Sequence, residues 1–402
     1  MADFILQLHI FAHDKHKTME LYDERICRHS LNRIFGYTPK TAAALISHFG
    51  SAAELYRKGW KELKDTLPYT KGIDRICDKE YADSEKELAL IESMGHRFIC
   101  SHEPSYPASL LECADSPSGL YVRGDSPIEE IFADRTYVAV IGTRDLSPYG
   151  KEWCRRIISV LSAARDKVTV VSGLAIGTDI TAHRAAIDTM TPTIAVIPTG
   201  IDSIYPLRHS IDAKRIASSP GSAVITDFPP GTCAVKMNFL RRNRIIAGLC
   251  KATVLVESKI KGGGMMTARL AFSYDRDVLA LPGRIEDIRS QGCNLLIKEK
   301  IAEPIISEHS LAESLGISAA GNGHHESREE KIRKLYTGSI SEDSIDTMAR
   351  ILLAIRRQSG ITIGEIAEEC RITYQRAAEL TGLLECDGII STDLMRRCSI
   401  NL

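Results

Sequence analysis

The segment FLRRNRII, Phe239 to Ile246, sets three arginines and an asparagine between an aromatic ring and two isoleucines. Guanidinium groups are planar forks of donors that suit phosphate oxygens, and an accessible ring beside them can stack on a base. Lys236, just upstream, adds another cation. In VAVIGTRDLSPYG a second group has the same character: Gly142 allows a tight exit from a strand, Thr143 offers a hydroxyl and a backbone N–H, and Arg144 supplies the fork. The other reading of Arg144 is a surface arginine on a loop that only closes a sheet. In SKIKGGGMMTA, Gly263 and Gly264 either let backbone amides wrap an anion ahead of a helix or form a tight turn with no ligand. Arg241, Arg242 and Asn243, with Lys236, Phe239 and Arg144, are candidates for one anion-binding rim. Asn243 and Arg244 have a second reading as internal hydrogen-bonding residues that pin loops.

Composition narrows the chemistry. Lys plus Arg number 51 against 52 for Asp plus Glu, so any case for a nucleic-acid partner rests on local clustering rather than net charge. GTRDLSPYG is not a G-x-G-x-x-G fingerprint, which argues against a nicotinamide cofactor, and the glycine loop lacks the G-K-[ST] of a nucleoside triphosphatase. Asp179 and His183, four residues apart, read as a helix-capping region followed by a packed histidine. Ser172 lies outside any G-x-S-x-G elbow. The 11 cysteines include no C-x-x-C pair, a pattern of free thiols in a reducing compartment. Adjacent His324 and His325 in a polar stretch read as solvated, so neither a metal nor a cofactor is expected. The start lacks a basic head and an unbroken apolar run, and no later segment stays apolar long enough to span a bilayer; a cytoplasmic location is expected.

The elements that must position these residues follow from periodicity. A chain of 402 residues is long enough for two or three domains. Residues 1–95 alternate apolar and charged positions at helical spacing, broken at Gly36, Pro39 and Gly50. Residues 96–317 begin with a proline-punctuated connector ending in the strand candidate GLYVRG. TYVAVIGTR, KVTVVSGLA, TPTIAVIPTG, SAVITDFPPG, ATVLVES and DVLALPG then alternate with helical segments. Strands apolar on both faces predict a doubly wound, Rossmann-like α/β core with a parallel sheet. Ligands of such sheets gather at the carboxyl ends of the strands, where the GTR, SGLAIGTD, DFPPG and GGG loops leave. Residues 318–340 read as a linker, and 341–402 as three helices with a terminal strand pair, the order of a winged helix.

The ordered run VAVIGTRDLSPYG, VVSGLAIGTDITAHRAAI, TIAVIPTGIDSIYP, ITDFPPG, NFLRRNRIIAGLC, VLVES, GGMMTARLA, ALPG and SQGCNLLI resembles the DNA-processing protein A family, DprA or Smf. The resemblance implies a protein that binds and protects single-stranded DNA and loads the RecA recombinase onto it in natural transformation, as a homodimer and without catalysis. It places Gly142, Thr143 and Arg144 at a phosphate site and Lys236 and Phe239 in the DNA pocket. It likens the N-terminal helices to a SAM or helix-hairpin-helix domain and the end of the chain to a winged helix. Ile176 stands where the family commonly carries a basic residue, Leu240 where it has proline, and Gly262 where serine is frequent. One lost phosphate contact lowers affinity and flattens its salt dependence by about 0.7 in logarithmic slope. Two other classes compete: a phosphoribohydrolase-like enzyme on a related fold, disfavoured because GGGMMTA lacks the required glutamate, and a regulator acting through the winged helix. The presumed recognition helix of that last reading carries one basic residue, Arg376, among several acids.

Overall fold

The computed structural model describes residues 22–165, 167–317, 336, 340–358, 360–393 and 396–400. The chain divides into two compact units, residues 1–319 and 320–402. The expected linker, with His324 and His325, lies outside the described residues apart from Tyr336 and Ile340.

The first unit opens with helices Glu24–Phe35, Pro39–Phe49, Ala52–Thr66 and Asp78–Ser93. Their ends are written into the sequence. Asp23 accepts from the N–H groups of Arg25 and Ile26, and Ser51 accepts from Glu54 N, each satisfying donors that a helix start leaves open. Gly50 ends the second helix at φ 91°, a conformation that glycine adopts without penalty. Leu31, Phe35, Leu45, Leu55 and Leu63 fill the core among them.

A nine-stranded sheet follows, in the order β1-β2-β6-β5-β4-β3-β7-β8-β9. Its strands are β1 (Arg97–Cys100), β2 (Gly119–Arg123), β3 (Thr136–Ile141), β4 (Val168–Ser172), β5 (Thr193–Val196), β6 (Ala223–Thr226), β7 (Ala252–Leu255), β8 (Asp277–Ala280) and β9 (Glu303–Pro304). From β6 through β9 all neighbours are parallel; β1 and β2 form an antiparallel margin against β6. Neither RFIC, which becomes β1, nor β9 is among the strands expected from periodicity. Alternate residues of strands β1 to β8 enter opposite cores, whereas both residues of β9 are exposed. Ala139 and Ile141 meet the helices Lys236–Leu249 and Gly263–Ser273, while Val138 and Val140 meet Pro148–Ser162 and Thr178–Asp188. Burial on both faces is why these strands read as unbroken apolar runs. The chain winds outward from β3 to β6 and then returns to the other side of β3 with β7. The β3/β7 boundary is therefore the switch point, where the diverging loops leave a crevice.

The second unit has helices Glu342–Arg357, Ile363–Glu369 and Tyr374–Cys386, with a sheet of β10 (Ile361–Thr362), β12 (Arg397–Ile400) and β11 (Ile390–Thr392) in that order. Thr362 and Glu365 form a reciprocal capping box at the start of its second helix. Met348, Ile351, Ile366, Leu380 and Ile390 are buried within it. Among the described residues, no helix is long and apolar enough to cross a membrane.

Candidate nucleic-acid interface

The loop after β3 is held from several sides. A Cβ on Gly142 would collide with Thr178 Oγ1 and lie 2.9 Å from the Glu257 carbonyl oxygen, so only glycine permits this exit. Thr143 turns its carbonyl inward to accept from Thr178 N at 3.1 Å, and its hydroxyl oxygen accepts from Asp145 N at 3.1 Å. Glu257, at the end of β7, reaches across the switch point: its carboxylate accepts from Ser147 N at 3.0 Å and Ser147 Oγ at 2.5 Å. Ser147 Oγ in turn accepts from Gly150 N at 3.0 Å, capping the helix that follows. The loop is thus pinned at both ends while Arg144 between them stays exposed.

Arg144 does not point idly outward. Its guanidinium carbon lies 5.2 Å from the centroid of the Phe239 ring, cation against π-face. Phe239 is half-buried on the Lys236–Leu249 helix, and exposed Lys236 is the first residue of that helix. No side chain caps this helix start, so its positive end and Lys236 face the same neighbourhood. Tyr205, on the connection between β5 and β6, meets Phe239 edge to face at 5.5 Å between centroids. Across the switch point, Gly264 packs against the β3 exit, where an added Cβ would lie 3.4 Å from Gly142 Cα, and Gly263 is exposed at the helix start. The structure therefore brings Gly142, Thr143, Arg144 and Phe239 together, sets Lys236 one helical turn from Phe239, and places Gly264 against Gly142.

The remaining arginines are a correction to the expected rim. Arg242 is only 4% exposed, and its Nη1 donates inward to the carbonyl oxygens of Gly173, at 2.7 Å, and Val196. It ties together the ends of β4 and β5. Burial pushes its pKa down to about 10, the neighbouring Asp179 carboxylate opposing that fall and exposed Arg144 adding to it. Burial raises the pKa of Asp179, against the opposing pull of Arg242. Asn243, half-buried, accepts from Arg242 Nε at 3.2 Å. Arg241 and Arg244 both donate to the buried carboxylate of Asp227, Arg241 at 3.1 Å. Arg241 also donates to Gly36 O and lies 4.1 Å from the Tyr37 ring and 4.7 Å from the Phe228 ring, while Arg244 also donates to Asp115 O. Asn32 Nδ2 donates to Asp227 O at 2.8 Å and the Tyr37 hydroxyl to Asn238 Oδ1 at 3.0 Å. Arg241 and Arg244 are consumed in pairing a buried carboxylate, and the bonds of Arg241 to Gly36 O, Asn32 to Asp227 O and Tyr37 to Asn238 tie the N-terminal helices to the sheet.

His183 and Ser172 have internal roles. His183 Nδ1 bonds Thr193 Oγ1 at 2.8 Å, and complete burial pushes its pKa down to about 3, so the ring is neutral. Ser172 Oγ donates to Val140 O at 2.7 Å. Motif reading passed over Tyr205, Asp227 and Glu257. A carboxylate closing an otherwise apolar run, as in VLVES and VITD, was the available signal for the last two, since such a group must find a partner inside.

Residues 97–316 match the family described as DNA recombination-mediator protein A. Protein Smf of Escherichia coli K12 is 38% identical over 218 residues, 54% of this chain and 56% of that protein. Protein Smf of Synechocystis is 31% identical over 291 residues, 71% of each chain. The DNA processing protein DprA of Streptococcus pneumoniae is 37% identical over 196 residues, 48% of this chain and 66% of that one. Among solved structures, the X-ray structure of DprA from Streptococcus pneumoniae aligns with a TM-score of 0.53 at 29% identity over 65% of this chain and 92% of that chain. The alignment with the Escherichia coli protein spans little more than half of that protein's length. The resemblance carried by the ordered motifs is borne out: this chain belongs to the DNA recombination-mediator protein A family, whose members include proteins named DprA and Smf.

Proposed function

We propose that the protein is a recombination mediator that binds single-stranded DNA, without strong sequence preference, at the carboxyl edge of its sheet. One observation carries the reading: at the exit of β3, exposed Arg144 stacks over half-buried Phe239, with exposed Lys236 one helical turn from that ring. Cations beside an accessible ring fit an unpaired strand better than a duplex, whose base faces are hidden. Gly142, Thr143, Gly263 and Gly264 add backbone approach to phosphate. Arg241 and Arg242 are left out of the contact set because they are engaged internally. Family membership supports the further reading that the protein hands the strand to the RecA recombinase in the cytoplasm, works as a homodimer and does no covalent chemistry. The second unit, read as a winged helix, serves interaction with protein rather than DNA, since Arg376 is bound to Glu379 at 2.9 Å.

Electrophoretic mobility shift with matched oligonucleotides tests the site. The wild-type chain retains single strands at lower protein concentration than duplex of equal length, and Arg144→Ala weakens that retention for every sequence. Equal affinity for both forms, or an unaffected Arg144→Ala, discards the assignment.

A further inference from the structure

Phe239 has a neighbour whose position is otherwise unexplained. Tyr205 is 44% exposed, and among the described residues its only ring contact is Phe239. It is not carried on a slack loop. Ile201, just before it, is fully buried, and Ile204 packs against the same core. Thr199 Oγ1 donates to Ser203 O at 2.6 Å, and on the far side His209 Nδ1 donates to Leu174 O at 2.8 Å, fastening the segment to the loop after β4. Next to the ring on the chain, Leu207 is 80% exposed, and Ile176 of the β4 loop is 38% exposed. An aromatic ring on a firmly tied segment, left open to water beside a cation-flanked phenylalanine, is a surface waiting for a flat apolar partner.

The ring planes of Tyr205 and Phe239 stand at 77°, so the two cannot sandwich one base between them. A base on each ring therefore needs a separate face. We propose that Tyr205 stacks on the nucleobase next to the one held at Phe239, so that the interface grips two successive unpaired bases. The inference rests on the single-strand reading above and extends its contact set to the β5–β6 connection. On this side Ile176 and Leu207 supply apolar surface, so the strand is held here by its bases, whereas at Arg144 and Lys236 it is held by its phosphates.

Fluorescence anisotropy of the full chain with a labelled oligothymidine, and with a fully abasic deoxyribose-phosphate strand of the same length, separates the two kinds of contact. Tyr205→Ala weakens oligothymidine binding roughly 5- to 150-fold, the range of one base–ring stack, and leaves abasic binding unchanged. Tyr205→Phe behaves as wild type on both strands. Tyr205→Leu, which keeps apolar bulk but no ring face, reproduces the selective loss and covers the case of a poorly folded alanine variant. An equal loss on both strands, or no loss on oligothymidine, overturns the inference while Arg144→Ala still weakens both strands and the broader reading stands. A wild-type chain that holds neither strand sinks that broader reading and this one together.

Discussion

At the scale of single residues, the same side-chain type does opposite work depending on what lies beneath it. Arg144 has an exposed guanidinium against a ring, whereas Arg242, buried at the ends of β4 and β5, serves two carbonyl oxygens. Lys236→Ala therefore lowers affinity for single strands and reduces the logarithmic salt slope by about 0.7, as a titration at several salt concentrations would show. Arg242→Ala instead lowers stability, because it strands buried acceptors and Asp179, and a shifted denaturant midpoint is the expected reading. His183 makes a pH-dependent contribution. Its folded pKa of about 3 lies below the unfolded value near 6.5. Between those values the unfolded chain takes up a proton that the folded chain refuses. Stability is thus fully present above the unfolded pKa and falls by about 1.4 kcal/mol per pH unit as pH drops through the window. His183→Gln should flatten the denaturation profile by that amount.

At the scale of elements, the Lys236–Leu249 helix is both the floor of the interface and the bolt of the N-terminal helices. Asp227 sits at the centre of the bolt, taking Arg241 and Arg244 together. Asp227→Ala leaves both guanidiniums with an uncompensated buried charge and costs about 3–5 kcal/mol, measurable by urea denaturation. Because this helix carries Lys236 and Phe239, the same substitution weakens strand binding without touching a contact residue. The strands of the parallel core were legible from sequence because burial on both faces writes an unbroken apolar run. β1 and β9 were not: both lie at the margins of the sheet, where pairing rather than composition makes the strand, and β9 is only two residues long. GTR and Phe239 converge as expected, yet periodicity alone could not say which arginines of RRNR face inward. Their partners, Gly36, Asp115, Gly173 and Val196, come from distant parts of the chain.

At the scale of the molecule, near-neutral net charge and inward-facing arginines leave the interface with a small number of outward cations. The resulting field is modest, so on the proposed reading association with DNA is driven by contact rather than by long-range attraction. Preference for unpaired strands over duplex should therefore persist as salt is raised, the stacking share of the free energy being far less screened than the phosphate share. Competition between the two forms across a salt series measures this directly.

Glu257 carries a consequence for timing. By reaching from the end of β7 to hold Ser147, it fastens the GTR loop before any ligand arrives. Arg144 then rides on a finished cradle, so on the proposed reading capture requires little rearrangement of the polypeptide and an arriving strand does most of the conforming. A Glu257→Gln chain, with a looser cradle, should shed its strand sooner once captured, its off-rate rising more than its on-rate falls.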